Sequence, residues 1–149
     1  MTEPREFFTQ EEITSIESAI AEAEKDTSGE ICVHIDSLCT KDPIKRAQEI
    51  FKIRDLHKTK FRNAVLFYLA VDSHKFAIWG DKGINKKVEE GFWDDVRDLI
   101  QENFKSGNFA IGLEKAVRLA GERLQKYFPY EDKGAINEID NEISFHKGS

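Results

Sequence analysis

An uninterrupted apolar run of eight residues, Ala64-Val65-Leu66-Phe67-Tyr68-Leu69-Ala70-Val71, stands between a basic stretch ending at Arg62 and the polar pair Asp72-Ser73. A run of this length suits a strand better than a helix, and a strand with no polar face must be covered on both sides. The chain therefore needs a central strand with a layer above it and a layer below, which the remaining sequence has to supply.

Helical and extended periodicities alternate around that run. Thr9 and Glu12 match a capping box, and Ile13, Ile16, Ile20 and Ala23 follow at helical spacing, which predicts a helix over about 10–25. Ile31, Val33 and Ile35 then alternate with Cys32, His34 and Asp36 as in a strand. Asp42-Pro43 starts a second helix, with Ile44, Ala47, Ile50 and Phe51 as its buried stripe. Beyond the central run, Phe76 to Trp79 predicts a hairpin partner, and Val88, Phe92, Val96, Leu99, Ile100 and Phe104 predict one long amphipathic helix. Asn108 is expected to cap a last helix that carries Phe109, Leu113, Ala116, Val117, Ala120, Leu124 and Phe128, with Gly112 and Gly121 permitting close packing and Pro129 as its stop. The acidic tail, which contains Asn137-Glu138-Ile139, has room for a short extra strand.

These elements predict an α/β fold: a single-domain layered sandwich with a mixed central β-sheet and helices on both faces. Its expected parts are an N-terminal tail at 1–8, the domain at 9–130, and a polar tail at 131–149 packing partly on the domain. A crossover through the second helix makes strands one and two parallel neighbours, while strand three runs back.

Charge narrows the function classes. With 22 Lys+Arg against 28 Asp+Glu, the net charge of -6 repels polyphosphate backbones and anionic lipids, so no nucleic-acid partner is expected. No run reaches the roughly 20 apolar residues of a membrane helix. The first residues lack a basic region followed by an apolar segment, so the expectation is a soluble, cytoplasmic protein without direct membrane insertion. Cys32 and Cys39 fit no disulfide or zinc framework and read as reduced thiols.

The predicted topology brings the starts of strands one and two and the end of strand three to one end of the sheet. Glu30, Asn63 and Asp81 should converge there, a set of hard oxygen donors of the kind that Ca²⁺ or Mg²⁺ prefers. The next helix carries Glu89, Glu90, Asp94 and Asp95 on its polar side. Turn chemistry accounts for the same three residues without a ligand. His34 reads as a satisfied core histidine, and His57, His74 and His146 as solvated loop residues. Gly80-x-x-Gly83 lacks the Lys-Ser/Thr of a phosphate loop. The basic stretch Lys52, Arg54, His57, Lys58, Lys60 and Arg62 reads as a solvated loop, with docking to an acidic partner as the second choice.

Taken together, Ser28-Gly29-Glu30-Ile31, Arg62-Asn63-Ala64-Val65-Leu66, Gly80-Asp81-Lys82-Gly83-Ile84, Phe104-Lys105-Ser106-Gly107-Asn108-Phe109 and Asn137-Glu138-Ile139 resemble the TPM domain family, with a likeness from about Phe8 to Ile143. The resemblance implies the same mixed-sheet sandwich and an association with divalent cations, calcium in particular. It also implies heterogeneous roles, since members have been linked to acid phosphatase activity, photosystem repair and membrane-receptor modulation. Carried onto this chain, the metal ligands would be Glu30, Asn63 and Asp81, with Asp72 and Asp94 as further positions. The chain departs from the family in having Asp81 where a bulky residue usually follows Gly80. The expected function is a module that binds Ca²⁺, or Mg²⁺ or another divalent cation, at the sheet end and engages a protein partner. The alternative is a metal-assisted, acid-phosphatase-like phosphomonoester hydrolase at the same site, with Arg62 or Lys82 steadying the phosphate.

Overall fold

In the computed structural model, which describes residues 3–130 and 140–148, a 3-10 turn at Pro4–Glu6 leads into α1 (Gln10–Ala23), β1 (Glu30–Leu38) and α2 (Pro43–Ile53). A second 3-10 turn (Leu56–Lys58) precedes β2 (Ala64–Ala70) and β3 (Lys75–Gly80). The short α3 (Lys82–Asn85) is followed by α4 (Asp94–Lys105), α5 (Phe109–Gln125) and β4 (Ser144–Gly148). The sheet order is β3-β2-β1-β4. β1 runs parallel to both β2 and β4, and β3 is antiparallel to β2. The extra strand expected in the tail is thus β4, on the open side of β1, while Asn137-Glu138-Ile139 lies outside the described residues.

Every residue of β2 is buried, as its unbroken apolarity requires. On one face Val65, Phe67 and Leu69 join Ile16 and Ile20 of α1, Val96 and Ile100 of α4, and Leu113 and Val117 of α5. On the other, Leu66, Tyr68 and Ala70 pack with Ala47, Ile50 and Phe51 of α2. Helices therefore cover both faces, α1, α4 and α5 with the short α3 on one side and α2 on the other.

Local chemistry explains most boundaries. Thr9 Oγ1 accepts from Glu12 N at 3.1 Å while Glu12 Oε1 accepts from Thr9 N at 2.9 Å, the reciprocal cap the sequence shows. Asp42 Oδ1 accepts from Ile44 N at 2.8 Å and starts α2. Gly121 lets α5 approach α1, because a Cβ there would stand 2.8 Å from Ala23 Cβ, and a Cβ at Gly112 would stand 2.7 Å from Asn103 Cβ of α4.

Several sequence expectations are corrected. The predicted helix through Val88 to Phe104 is divided, since Gly91 takes a left-handed φ of 83° and α4 starts only at Asp94. Ile44 is 43% exposed, and Arg46 takes the inward stripe position beside Ala47, Ile50 and Phe51. Asn108 makes no side-chain cap; its carbonyl accepts from Gly112 N at 2.9 Å. α5 ends at Gln125, short of Pro129, because the chain turns back so that Phe128 O accepts from Ser28 N at 3.0 Å ahead of β1. His146 lies on β4, not in a loop. Among the described residues no helix is long and apolar enough to cross a membrane. Both cysteines are free and buried.

Candidate functional site at the end of the sheet

Strand register aligns the predicted trio. Glu30 pairs with Ala64 and its N–H donates to Asn63 O at 3.2 Å, while Asp81 N donates to Ala64 O at 2.9 Å. Glu30, Asn63 and Asp81 therefore form one row across β1, β2 and β3, and all three are buried. The parallel β1–β2 pair and the hairpin back to β3 are what bring them together.

Two members of the row are already engaged within the protein. Asp81 Oδ2 accepts from Arg62 Nε at 2.6 Å, and Oδ1 accepts from Arg62 Nη2 at 2.9 Å and from Lys82 N at 2.8 Å, which caps α3. This pairing holds the Arg62 guanidinium, already a strong base, still more firmly protonated. Asn63 Nδ2 donates to Ser28 O at 3.3 Å, and Thr59 Oγ1 accepts from Asn63 N at 3.2 Å. The 59–62 loop is pressed against α3, since a Cβ on Gly83 would meet Phe61 O at 2.1 Å. A cation bound by Asp81 would have to displace a bidentate guanidinium, so Asp81 does not fit as a ready ligand.

The carboxyl group that does approach Glu30 is one the sequence reading passed over. Glu24, the residue that closes α1, accepts from Ile31 N at 2.8 Å through Oε2. β4 covers β1 only from His34 onward, so this N–H has no strand partner and a carboxylate takes it. Burial raises the Glu24 carboxyl to a pKa of about 8 against the pull of the Ile31 hydrogen bond, and the charge of Glu30 with a side-chain hydrogen bond between the two acids adds to the rise. This rise favours the protonated form of Glu24 at neutral pH, with Glu30 beside it. A signal was present in the sequence: Glu24 stands four residues after Ile20, on the apolar stripe of α1, where an acid has no reason to be unless it has a partner.

Other charges complete the surroundings. Arg54 lies 4.0 Å from Asp140 and donates to Val33 O at 3.3 Å. Burial pushes the Cys32 thiol up to about 12, Arg54 opposing and Glu24, Glu30 and Asp140 adding to it, so Cys32 is no thiolate nucleophile. The two further predicted positions lie apart from the row. Asp72 follows the far end of β2, where its N–H donates to Ser37 O at 2.8 Å. Asp94 is 67% exposed in its side chain at the start of α4 and stands 3.6 Å from Arg97. Among the described residues no three His, Cys, Asp or Glu side chains gather closely enough to hold a metal by themselves. Two facing carboxyls are what this end of the sheet offers a cation, and hard ions accept such a pair with water filling the remaining positions.

Comparison with known proteins agrees with this architecture. The chain is similar to the BA42 protein of the psychrophilic bacterium Bizionia argentinensis, whose NMR structure matches with 46% identity and a TM-score of 0.89 over 97% of this chain and 99% of that one. The fold is also shared, at 16% identity, with the N-terminal domain of a P. gingivalis protein (TM-score 0.68; 85% of this chain, 83% of that one). At the same identity it is shared with the N-terminal domain of the cg2496 protein of Corynebacterium glutamicum (TM-score 0.62; 86% and 78%). No curated protein matches the chain. The TPM domain matches residues 1–123, and with a relative nearly half identical along the full length, the chain belongs to the TPM domain family.

Proposed function

We propose that this protein is a divalent-cation-binding module, with Ca²⁺ as the first candidate and Mg²⁺ as the second, whose site is the Glu24–Glu30 carboxyl pair. The carrying observation is the juxtaposition itself: two acids meet at the uncovered start of β1, and Glu24 is held there by Ile31 N. One of the two must keep a proton, and a divalent cation satisfies the pair better than a proton does, since it neutralises both charges. With two protein carboxylates and otherwise water, the affinity belongs in the weak range of about 0.1–1 mM.

Loading this site changes the charge at one end of the sheet, and a protein partner docking on that end would read the change. Phe61 and Ile53 are exposed beside Lys52, Lys58 and Lys60, which suits an acidic partner with an apolar contact. A phosphatase at this end would have to steady phosphate with Lys82, since Arg62 is committed to Asp81. The test is titration calorimetry with Ca²⁺ and Mg²⁺ on the intact chain and on Glu24→Gln and Glu30→Gln. Binding to the parent that either substitution abolishes supports the site; equal binding by all three proteins overturns it.

A further inference from the structure

Four residues further along β1, on the same face as Glu30, lies a second polar cluster that cation binding does not use. Asp36 is fully buried and accepts from His34 Nε2 at 2.7 Å, from Arg46 Nε at 2.8 Å and from Tyr68 OH at 2.5 Å. The other ring nitrogen of His34, Nδ1, stands 2.5 Å from Ser144 Oγ, directly across the parallel β1–β4 register. For a neutral His34 the hydrogen bonds fit one assignment. Asp36 is an acceptor, so His34 carries its proton on Nε2; neutral His34 then accepts at Nδ1, and the Ser144 hydroxyl donates to it. This is a hydroxyl nucleophile on a base and a base on an orienting carboxylate, in sequence.

We propose that Ser144 is a nucleophile toward small carboxylic esters, with His34 as its general base and Asp36 as the orienting acid. Ser144 is half-buried on the edge strand, whereas His34 behind it is only 4% exposed, so a substrate and the hydrolytic water meet the base at the serine. In the acylation step Ser144 Oγ bonds to the ester carbonyl carbon as its proton passes to His34 Nδ1. The carbon–alkoxy bond then breaks, and the alkoxide leaves with that proton. Water, deprotonated by the same nitrogen, cleaves the acyl-serine to the acid and restores Ser144. Arg46 and Arg54 put positive charge around the cluster: Arg46 Nη2 lies 3.5 Å from His146 Nδ1, and Arg54 Nη2 donates to Glu142 O at 3.4 Å beside β4. The arrangement keeps His34 neutral, since burial and the charges of Arg46 and Arg54 outweigh the attraction of Asp36. A neutral imidazole is the form a general base requires.

The same contacts would also simply fasten β4, and labelling chemistry separates the two roles. The full chain is treated with a fluorophosphonate probe, whose P–F bond is replaced by an Oγ–P bond with release of HF, and the adduct is mapped by peptide mass spectrometry. The expected result is a single adduct on Ser144 that Ser144→Ala abolishes and that His34→Gln slows by roughly a hundredfold or more. A folded parent protein with Ser144 unlabelled overturns the proposal, as does a His34→Gln rate equal to that of the parent. Should His34→Gln fail to fold, the parent's pH profile serves instead. Asp36, Tyr68, Arg46 and Arg54 act on His34, and His146 of β4 stands beside Arg46; labelling of Ser144 must fall on acidification as the base is protonated, and a flat profile overturns the assignment.

Discussion

Arg62 closes on both carboxylate oxygens of Asp81, Nε on Oδ2 at 2.6 Å and Nη2 on Oδ1 at 2.9 Å, and so removes from the row of Glu30, Asn63 and Asp81 the member best suited to a cation. Replacing Arg62 by Gln takes away a positive charge and frees one carboxylate near the pair formed by Glu24 and Glu30. Ca²⁺ affinity is expected to rise about threefold to tenfold, the scale of one partly screened charge at this range. Calorimetry on Arg62→Gln checks this, and an unchanged affinity would place Asp81 outside the field of the cation.

Glu24 makes stability depend on pH in an unusual direction for an acid. Its folded pKa of about 8 lies above the ordinary 4.5, so the folded state holds more protons between those values than the unfolded chain. Its contribution is full below pH 4.5 and is lost as pH rises through about 8. Urea unfolding of the metal-free protein is expected to show stability declining across that window by roughly 2–4 kcal/mol, with Glu24→Gln flattening the slope. A parent protein whose stability climbs from pH 5 to 8 would contradict the acid pair.

Asp36 behaves oppositely. Burial alone would raise its pKa, but hydrogen bonds from His34, Arg46 and Tyr68 outweigh that and hold it down at about 2. Its stabilisation is present above the ordinary 3.8 and disappears as pH falls through about 2. Asp36→Asn leaves the buried Arg46 without its counter-charge, and a loss of roughly 3–5 kcal/mol at neutral pH is expected from chemical unfolding.

Gly83 is the contact point between α3 and the 59–62 loop. A methyl group there would lie 2.1 Å from Phe61 O and 2.4 Å from Arg62 O, both main-chain atoms that cannot swing aside. Gly83→Ala is expected to cost about 3 kcal/mol and to shift the amide resonances of Arg62 and Asp81. Comparison of thermal midpoints and NMR spectra for Gly83→Ala and the parent decides this.

What the sequence disclosed follows from where its signals are local. The run through β2 demanded cover on both faces because nothing in it was polar, and Thr9 with Glu12 marked the start of α1 because capping is decided within four residues. The break before α4 was hidden, since Val88, Phe92 and Val96 continue one stripe whether or not Gly91 turns left-handed between them. The sheet-end row was legible from strand direction alone, but side-chain commitments were not: Arg62 on Asp81 is a pairing across 19 positions that no spacing rule announces. Glu24 was visible as a charge on an apolar stripe, whereas the periodicity of α2 put Ile44 inward in place of Arg46; their partners, Ile31 N and Asp36, appear only once the chain is folded.

Proton release on cation binding tests the central claim most directly. Calorimetric titration with Ca²⁺ at pH 7 in buffers of different ionisation enthalpy counts the protons that leave as the ion enters. If the ion takes the place of the proton shared by Glu24 and Glu30, about one proton is released at pH 7, and release falls toward zero above pH 9 as apparent affinity rises about tenfold per unit up to pH 8. Ca²⁺ binding without proton release at pH 7, or no binding at all, would contradict the account.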